Sequence, residues 1–354
     1  MSSSSHEERA VAKIYNSYIA AGSIAAAWEV GLLDALKSQQ SLDVLAFASK
    51  HDLDKDSTQS LAITLAVADV VKYSPDTATI TPGSLFDETF RTMPMFHWLT
   101  LGSGGLFSRT QHLLRNENRQ GGESFHLHMR DPVAVAYACR TLNKEFYDPV
   151  FWRVMDALPY RPRSVVDLGC GSGERLQQIL KRFGDDTTGI GIDIAGPTIG
   201  FAEEEARKAG FAENRLKFSA GDARVIEPRA EFAEVDLLTS FLMGHDFWPR
   251  KRCIYTLRML RELFPKVRRF LLGDETRGIL PCAGSRPPVE QIKGEDVPIF
   301  ALGLEFGHVL MDVYIPTMQE WYDVFEEGGW RCVKGHELQK PAFAVIFELE
   351  PLDD

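Results

Sequence analysis

The feature that most constrains this chain is Asp167-Leu168-Gly169-Cys170-Gly171-Ser172-Gly173, which follows the apolar pair Val165-Val166 and opens a helix-length segment. Glycines at alternate positions let the backbone take dihedrals that side chains forbid and let it approach a ligand closely. A strand, a glycine turn and a helix in that order belong to an open α/β sheet, which binds ligands at the carboxyl ends of its strands. The sequence beyond agrees. Gly189-Ile190-Gly191-Ile192, Leu216-Lys217-Phe218, Val235-Asp236-Leu237-Leu238 and Phe270-Leu271-Leu272 are short apolar runs separated by helix-length stretches. That alternation predicts a parallel sheet with helices on both faces. A helix expected over residues 317–325 is followed by Trp330-Arg331-Cys332-Val333 and Phe343-Ala344-Val345-Ile346-Phe347, whose short connection predicts an antiparallel pair. A dinucleotide turn would need its third glycine at position 174, which is Glu.

Upstream the texture differs. Between Glu8 and about Val71 apolar residues recur at helical spacing, as in Ala25-Ala26-Ala27-Trp28 followed by Val30, Leu32, Leu33 and Leu36. Ser41-Leu42-Asp43-Val44-Leu45 predicts a helix start, and Tyr73 to Pro82, with Thr77, Thr79 and Thr81, a small strand or wing. Gly102 to Gly105 and Arg119 to Glu123 punctuate a region in which Trp98, Phe107 and His112 form either a lid or a loop between helices. From Arg130-Asp131-Pro132 a helical pattern runs through Ala134, Ala136, Leu142, Phe146 and Phe151 toward Leu158. A chain of 354 residues is long for one core, so two units are expected, 1–145 and 146–354. The apolar helical positions of the first exceed what a domain of about 80 residues buries alone, which predicts a homodimer.

Composition narrows the partners. With 44% hydrophobic and 25% charged residues the chain reads as an ordinary globular protein, and no run approaches the ~20 apolar residues that span a bilayer. Met1-Ser2-Ser3-Ser4-Ser5-His6 is no secretory signal, so a disordered tail, a cytoplasmic location and no membrane partner are expected. Cys139, Cys170, Cys253, Cys282 and Cys332 contain no C-x-x-C pair and read as plain thiols. A formal charge of -11 argues against a nucleic-acid partner, and Arg250-Lys251-Arg252 reads as a solvated helix face. A small-molecule substrate is the remaining class.

Asp193, at the end of the next strand, lies 193 - 173 = 20 residues beyond Gly173, suited with Ile194 beside it to accept hydrogen bonds from two ribose hydroxyls. Gly221-Asp222-Ala223 after the third strand places a carboxylate where it can meet an adenine amino group. One glycine turn alone is as readily a tight turn. Together, Asp167, Gly169, Gly171, Gly173, Asp193, Ile194, Asp222 and Ala223 at three successive strand ends resemble the class I S-adenosylmethionine-dependent methyltransferases over about residues 145 to 354. Ala27-Trp28-Glu29-Val30-Gly31-Leu32-Leu33-Asp34-Ala35-Leu36 is similar to the winged-helix dimerisation domain of small-molecule O-methyltransferases. The resemblance implies a Rossmann-like domain with a mostly parallel seven-stranded sheet, a mainly α-helical winged-helix unit before it, and S-adenosylmethionine as cofactor.

The fourth strand ends in Phe241-Leu242-Met243-Gly244-His245-Asp246-Phe247-Trp248. Plant-like O-methyltransferases carry His-Asp-Trp here, with the histidine as general base, but Phe247 interrupts that motif and Pro249-Arg250-Lys251 replaces the acid that follows it. The chain also resembles the metal-dependent α-keto acid C-methyltransferases, in which a Gly-His-Asp at this strand end and a later histidine hold a metal. Carried over, this implies His245, Asp246 and His308 as ligands of a divalent ion, Fe(II) first and Zn(II) or another first-row ion next. Such an ion would stabilise the enolate of a keto acid whose β-carbon attacks the methyl donor. The other reading of His308 is a packed histidine unrelated to His245, which leaves a metal-free O-methyltransferase acting on a phenol, or a donor-binding fold with no methyl transfer. Arg130 either grips the substrate carboxylate in a guanidinium fork, or forms a salt bridge to Asp131 or a helix-start contact. Asp274-Glu275 joins the site or caps a following helix. Trp98, Phe107 and Trp248 either wall an apolar pocket or fill a core.

Overall fold

The computed structural model describes residues 5–119, 129–280 and 294–352. Residues 1–4 of the expected tail, 120–123 of the expected loop and Cys282 lie outside them. The chain divides into two compact units, Met1–Gly105 and Leu106–Asp354.

The first unit opens with the helix His6–Glu29, whose start is a capping box: the Ser5 hydroxyl accepts from the Glu8 amide and the Glu8 carboxylate from the Ser5 amide. Gly31, at φ +77, turns the chain into the next helix, Leu32–Gln39. The predicted helix start is present, since the Asp43 carboxylate caps Val44–Lys50 by accepting from the amides of Leu45 and Ala46. Strands β1 (Leu42–Asp43), β2 (Val71–Ser74) and β3 (Thr79–Pro82) pair antiparallel in the order β1-β3-β2, the β2–β3 hairpin being the expected wing. Trp28, Leu32, Leu33, Leu36, Phe47 and Ile80 bury the unit's core. The beginning of the His6–Glu29 helix contributes nothing to it: Val11, Ile14, Tyr15 and Tyr18 are 66%, 75%, 73% and 76% exposed. With Ile19 they recur at i, i+3, i+4, i+7 and i+8, a single apolar stripe on one helix face.

The second unit is built on a seven-stranded sheet. Its strands are β4 (Ser164–Leu168), β5 (Thr188–Asp193), β6 (Leu216–Ala220), β7 (Leu237–Phe241), β8 (Arg269–Glu275), β9 (Trp330–Glu337) and β10 (Ala344–Pro351), in the order β6-β5-β4-β7-β8-β10-β9. From β6 to β8 all pairings are parallel, while β10 runs antiparallel to β8 and β9, as the short connection required. The chain leaves β4 for β5 on one side and returns to β7 on the other, so the crevice at the carboxyl ends of β4 and β7 is where a ligand belongs. One face of the sheet buries Phe232, Phe264, Phe270, Trp321, Trp330 and Phe347.

The chain divides between Gly105 and Leu106, 40 residues before the expected boundary at 145 and 146. Packing explains the difference. Leu106 and Leu113 bury against Leu310 and Met311, and the Arg119 guanidinium donates to the carbonyls of Leu113 and Leu310. The helix Pro132–Leu142, capped by the Asp131 carboxylate, continues through a wide π-helical turn at Asn143–Tyr147 into the helix Asp148–Ala157. The helical pattern from Arg130 toward Leu158 identifies a helix without saying which core it joins. No single helix among the described residues is long and apolar enough to cross a membrane.

Candidate active site

The glycine turn is held open by its own backbone. Gly169, Gly171 and Gly173 all have positive φ, at +72, +49 and +70, and the Gly169 and Cys170 amides both donate to the Ile192 carbonyl. Gly173 starts the helix Glu174–Phe183, and a Cβ on it would stand 2.4 Å from the Phe218 ring. Asp193 braces the same turn: one carboxylate oxygen accepts from the Gly171 amide at 2.8 Å and the other from the Ala195 amide at 2.9 Å. Asp167 is buried at the end of β4 and accepts from the Thr239 hydroxyl at 2.7 Å. Burial pushes its pKa up to about 6 despite nearby Arg175. A cavity of about 80 Å³ beside the turn, partly open to solvent, is lined by Asp167, Gly169, Gly171, Asn143, Asp148 and Arg175 among others. Arg175 is buried there, paired with Asp148 at 3.0 Å and stacked 3.6 Å from the Phe241 ring.

Of the remaining donor-site candidates, Ile194 is exposed and Ala223 buried. Asp222 sits at the predicted strand end but is gripped by Arg224, whose Nε and Nη2 donate to its oxygens at 2.9 and 2.7 Å. The resulting pKa is lowered: burial works against the charge, and the Arg224 hydrogen bonds outweigh it.

At the end of β7, residues Gly244–Phe247 form a single 3-10 turn that buries His245. Asp274, fully buried on β8, holds this histidine at two points: Oδ2 accepts from the His245 amide at 2.6 Å and Oδ1 from ring Nδ1 at 2.8 Å. Nδ1 therefore carries a proton, and Nε2 is the nitrogen that exchanges one. Burial opposes charge on the ring, but Asp274 reverses that and raises the His245 pKa to about 9. The second histidine arrives from the helix Ala301–Leu310: the His308 ring meets His245 edge to face, centroids 4.8 Å apart and planes at 85°. Its Nδ1 lies 2.7 Å from the Leu304 carbonyl, which can only accept, so this ring too is protonated at Nδ1. Asp246 is half-buried in the same turn, and its charge acts on both His245 and Arg130. Among the described residues no three His, Cys, Asp or Glu side chains already form a metal cage.

Arg130 approaches from the segment before the helix Pro132–Leu142. Its Nη1 lies 3.8 Å from Met311 Sδ, and burial lowers its pKa. Asp131 caps the helix through the Val133 and Ala134 amides. Glu275 is buried beside this group, accepting from the Tyr147 hydroxyl at 3.1 Å, and burial raises its pKa to about 8.

One sequence expectation changes here, that for Arg252, and two alternatives left open by the sequence are decided. Trp248 is a core residue, stacked on Tyr314 and edge-on to Trp321. Arg252 is half-buried rather than solvated: its guanidinium donates to the carbonyls of Asp246, Phe247 and Trp248 and ties down the turn after His245. Asp274 is not a helix cap, because no helix follows β8 directly and its carboxylate is spent on His245.

A family model described as a methyltransferase domain matches residues 162–272. "Methyltransferase ungE'" of Aspergillus campestris is 53% identical over 340 residues, 96% of each chain. Indolepyruvate C-methyltransferase of Streptomyces griseus is 27% identical over 220 residues, 61% of this chain and 60% of its own. 2-Ketoarginine methyltransferase of Streptomyces arginensis is 25% identical over 301 residues, 82% and 79% of the two chains. Human N-acetylserotonin methyltransferase, solved in complex with SAM, shares the fold with a TM-score of 0.66 over 100% of both chains at 15% identity. The doubly wound sheet with its glycine turn defines a Rossmann-like, S-adenosylmethionine-dependent class. The chain belongs to the class I S-adenosylmethionine-dependent methyltransferase family.

Proposed function

We propose that this enzyme transfers the methyl group of S-adenosylmethionine to the β-carbon of an α-keto acid. The donor lies along the glycine turn, with Gly169, Gly171 and Gly173 giving close backbone approach beside Asp167. Asp193 takes the ribose hydroxyls with oxygens already oriented by Gly171 and Ala195, and Ile194, Asp222 and Ala223 border the adenine. Asp222 reads the adenine amino group through lone pairs left by Arg224.

The observation that carries the reading is the pair of imidazoles, His245 and His308, each with its Nδ1 proton taken by an acceptor. One oriented base suffices to deprotonate a phenol. Two rings fixed in one tautomer, each by a carboxylate or carbonyl behind it, are what a metal site requires of its histidines. On this reading a first-row divalent ion, Fe(II) or Zn(II), would be held by His245 and His308, with Asp246, on the same turn as His245, as the third ligand. Bound there, it would supply the Lewis acidity that stabilises an enolate. Arg130 binds the substrate carboxylate, whose two oxygens match the guanidinium fork. Asp274 fixes the His245 ring. The relatives named for indolepyruvate and 2-ketoarginine point to the same substrate class.

A second reading, O-methylation of a phenol with His245 as base and no metal, is favoured by the His245–Asp274 pair alone. Metal analysis of protein purified without chelators, then turnover of a keto-acid panel with and without chelator, separates the two. The C-methylation reading predicts a bound first-row metal and loss of turnover on chelation. A metal-free protein that gains nothing from added Fe(II), Zn(II), Mn(II) or Ni(II) and methylates phenols overturns it. The exposed stripe Val11, Ile14, Tyr15, Tyr18 and Ile19 supports a working homodimer.

A further inference from the structure

Glu305 is almost completely buried, yet it faces none of the chemistry described above. Its carboxylate accepts from three successive amides just beyond β8: Gly278 at 2.7 Å, Ile279 at 2.9 and 3.2 Å, and Leu280 at 2.5 Å. A buried carboxylate is costly unless its oxygens are satisfied, and here the backbone satisfies both. What these bonds join is specific. One side is the continuation of the strand whose Asp274 holds His245, and the other is the helix Ala301–Leu310, where His308 lies one turn on from Glu305 and so on the same face. Arg277 ties the same segment to the chain beyond that helix: its amide donates to the Pro316 carbonyl and its Nε to the Ile315 carbonyl. The axial position of the helix is thereby referred to the end of β8.

We propose that Glu305 is a positioning residue that sets the distance between His308 and His245. The inference rests on the reading that the two imidazoles act together. Moving a helix by a fraction of its rise per residue displaces His308 without disturbing the donor turn, which belongs to β4 and β5. Glu305→Gln keeps the shape but turns an amide nitrogen toward backbone donors, and Glu305→Asp keeps the charge one methylene short.

The full chain is labelled with 15N-histidine, and its ring signals are assigned through His245→Gln and His308→Gln. Donor affinity is measured by calorimetry with S-adenosylhomocysteine, and kcat and KM on whichever keto acid the wild type turns over. Glu305→Gln is expected to shift the ring signals of both histidines and lower kcat at least tenfold, with S-adenosylhomocysteine affinity within twofold of wild type. Glu305→Asp should lie between the two. Unchanged His245 and His308 signals with kcat within twofold of wild type in folded Glu305→Gln overturn the proposal. If Glu305→Gln does not fold, Glu305→Asp decides by the same readouts. If neither folds, Glu305 is a determinant of the fold alone and the proposal fails. Failure of the keto-acid reading would show instead in the wild type, as no turnover, while the ring signals still report on Glu305.

Discussion

Glu275 lies next to the carboxylate that holds His245, and burial lifts its pKa to about 8 against a hydrogen bond from Tyr147. Between an unfolded value of about 4.3 and this folded one, the native chain keeps a proton the unfolded chain has lost, so stability falls as pH rises, by up to about 1.4 kcal/mol per pH unit. Above pH 8 that contribution is constant. His245, raised to about 9, acts with the same sign from about pH 6.5 upward, since its stabilisation is complete below that value and is lost through the folded pKa. Glu275→Gln should therefore flatten the decline in urea midpoint between about pH 6 and 8. Parallel slopes for wild type and variant would assign the decline elsewhere. Asp193→Ala removes both the proposed ribose acceptor and the brace on Gly171, and donor affinity should fall roughly tenfold or more in calorimetry. Unchanged affinity would remove Asp193 from the site.

The elements themselves were largely legible. Short apolar runs of period consistent with buried strands gave β4 to β8, the glycine turn located the β4–helix junction, and Ser41 to Leu45 located a capped helix. What could not be read was which strand end stands beside which. His245 and Asp274 meet only because β7 and β8 are neighbours in the sheet, and nothing in their local sequence states that order. Arg252 looked solvated because a basic run was read by composition, whereas its place in the first turn of the helix Arg250–Leu263 aims it back at the 246–248 carbonyls. Glu305 gave no signal, since a single acid in an apolar helix has no motif and its partners are backbone amides. At this scale Gly173 offers a direct check. Gly173→Ala meets both a positive φ and the Phe218 ring, and a loss of about 2–4 kcal/mol in denaturant unfolding is expected from backbone strain and overpacking. A loss under 1 kcal/mol would mean that the turn relaxes without the glycine conformation.

For the molecule as a whole, the stripe on the helix His6–Glu29 should be covered by a second copy. Light scattering at micromolar concentration is expected to report a dimer, and Ile14→Glu with Tyr18→Glu a monomer. A monomeric wild type contradicts this. The central claim, that the methyl group reaches carbon, is tested most directly by its destination. Wild-type enzyme, reconstituted with Fe(II) or Zn(II), is incubated with S-adenosylmethionine carrying a deuterated methyl group and a panel of aromatic and guanidino α-keto acids, and the product is read by carbon NMR and mass spectrometry. The account predicts a deuterated methyl on the β-carbon, formed in step with S-adenosylhomocysteine and abolished by His308→Ala although the donor still binds. A methyl group on oxygen, formed equally well by His308→Ala and in the presence of chelator, would contradict it.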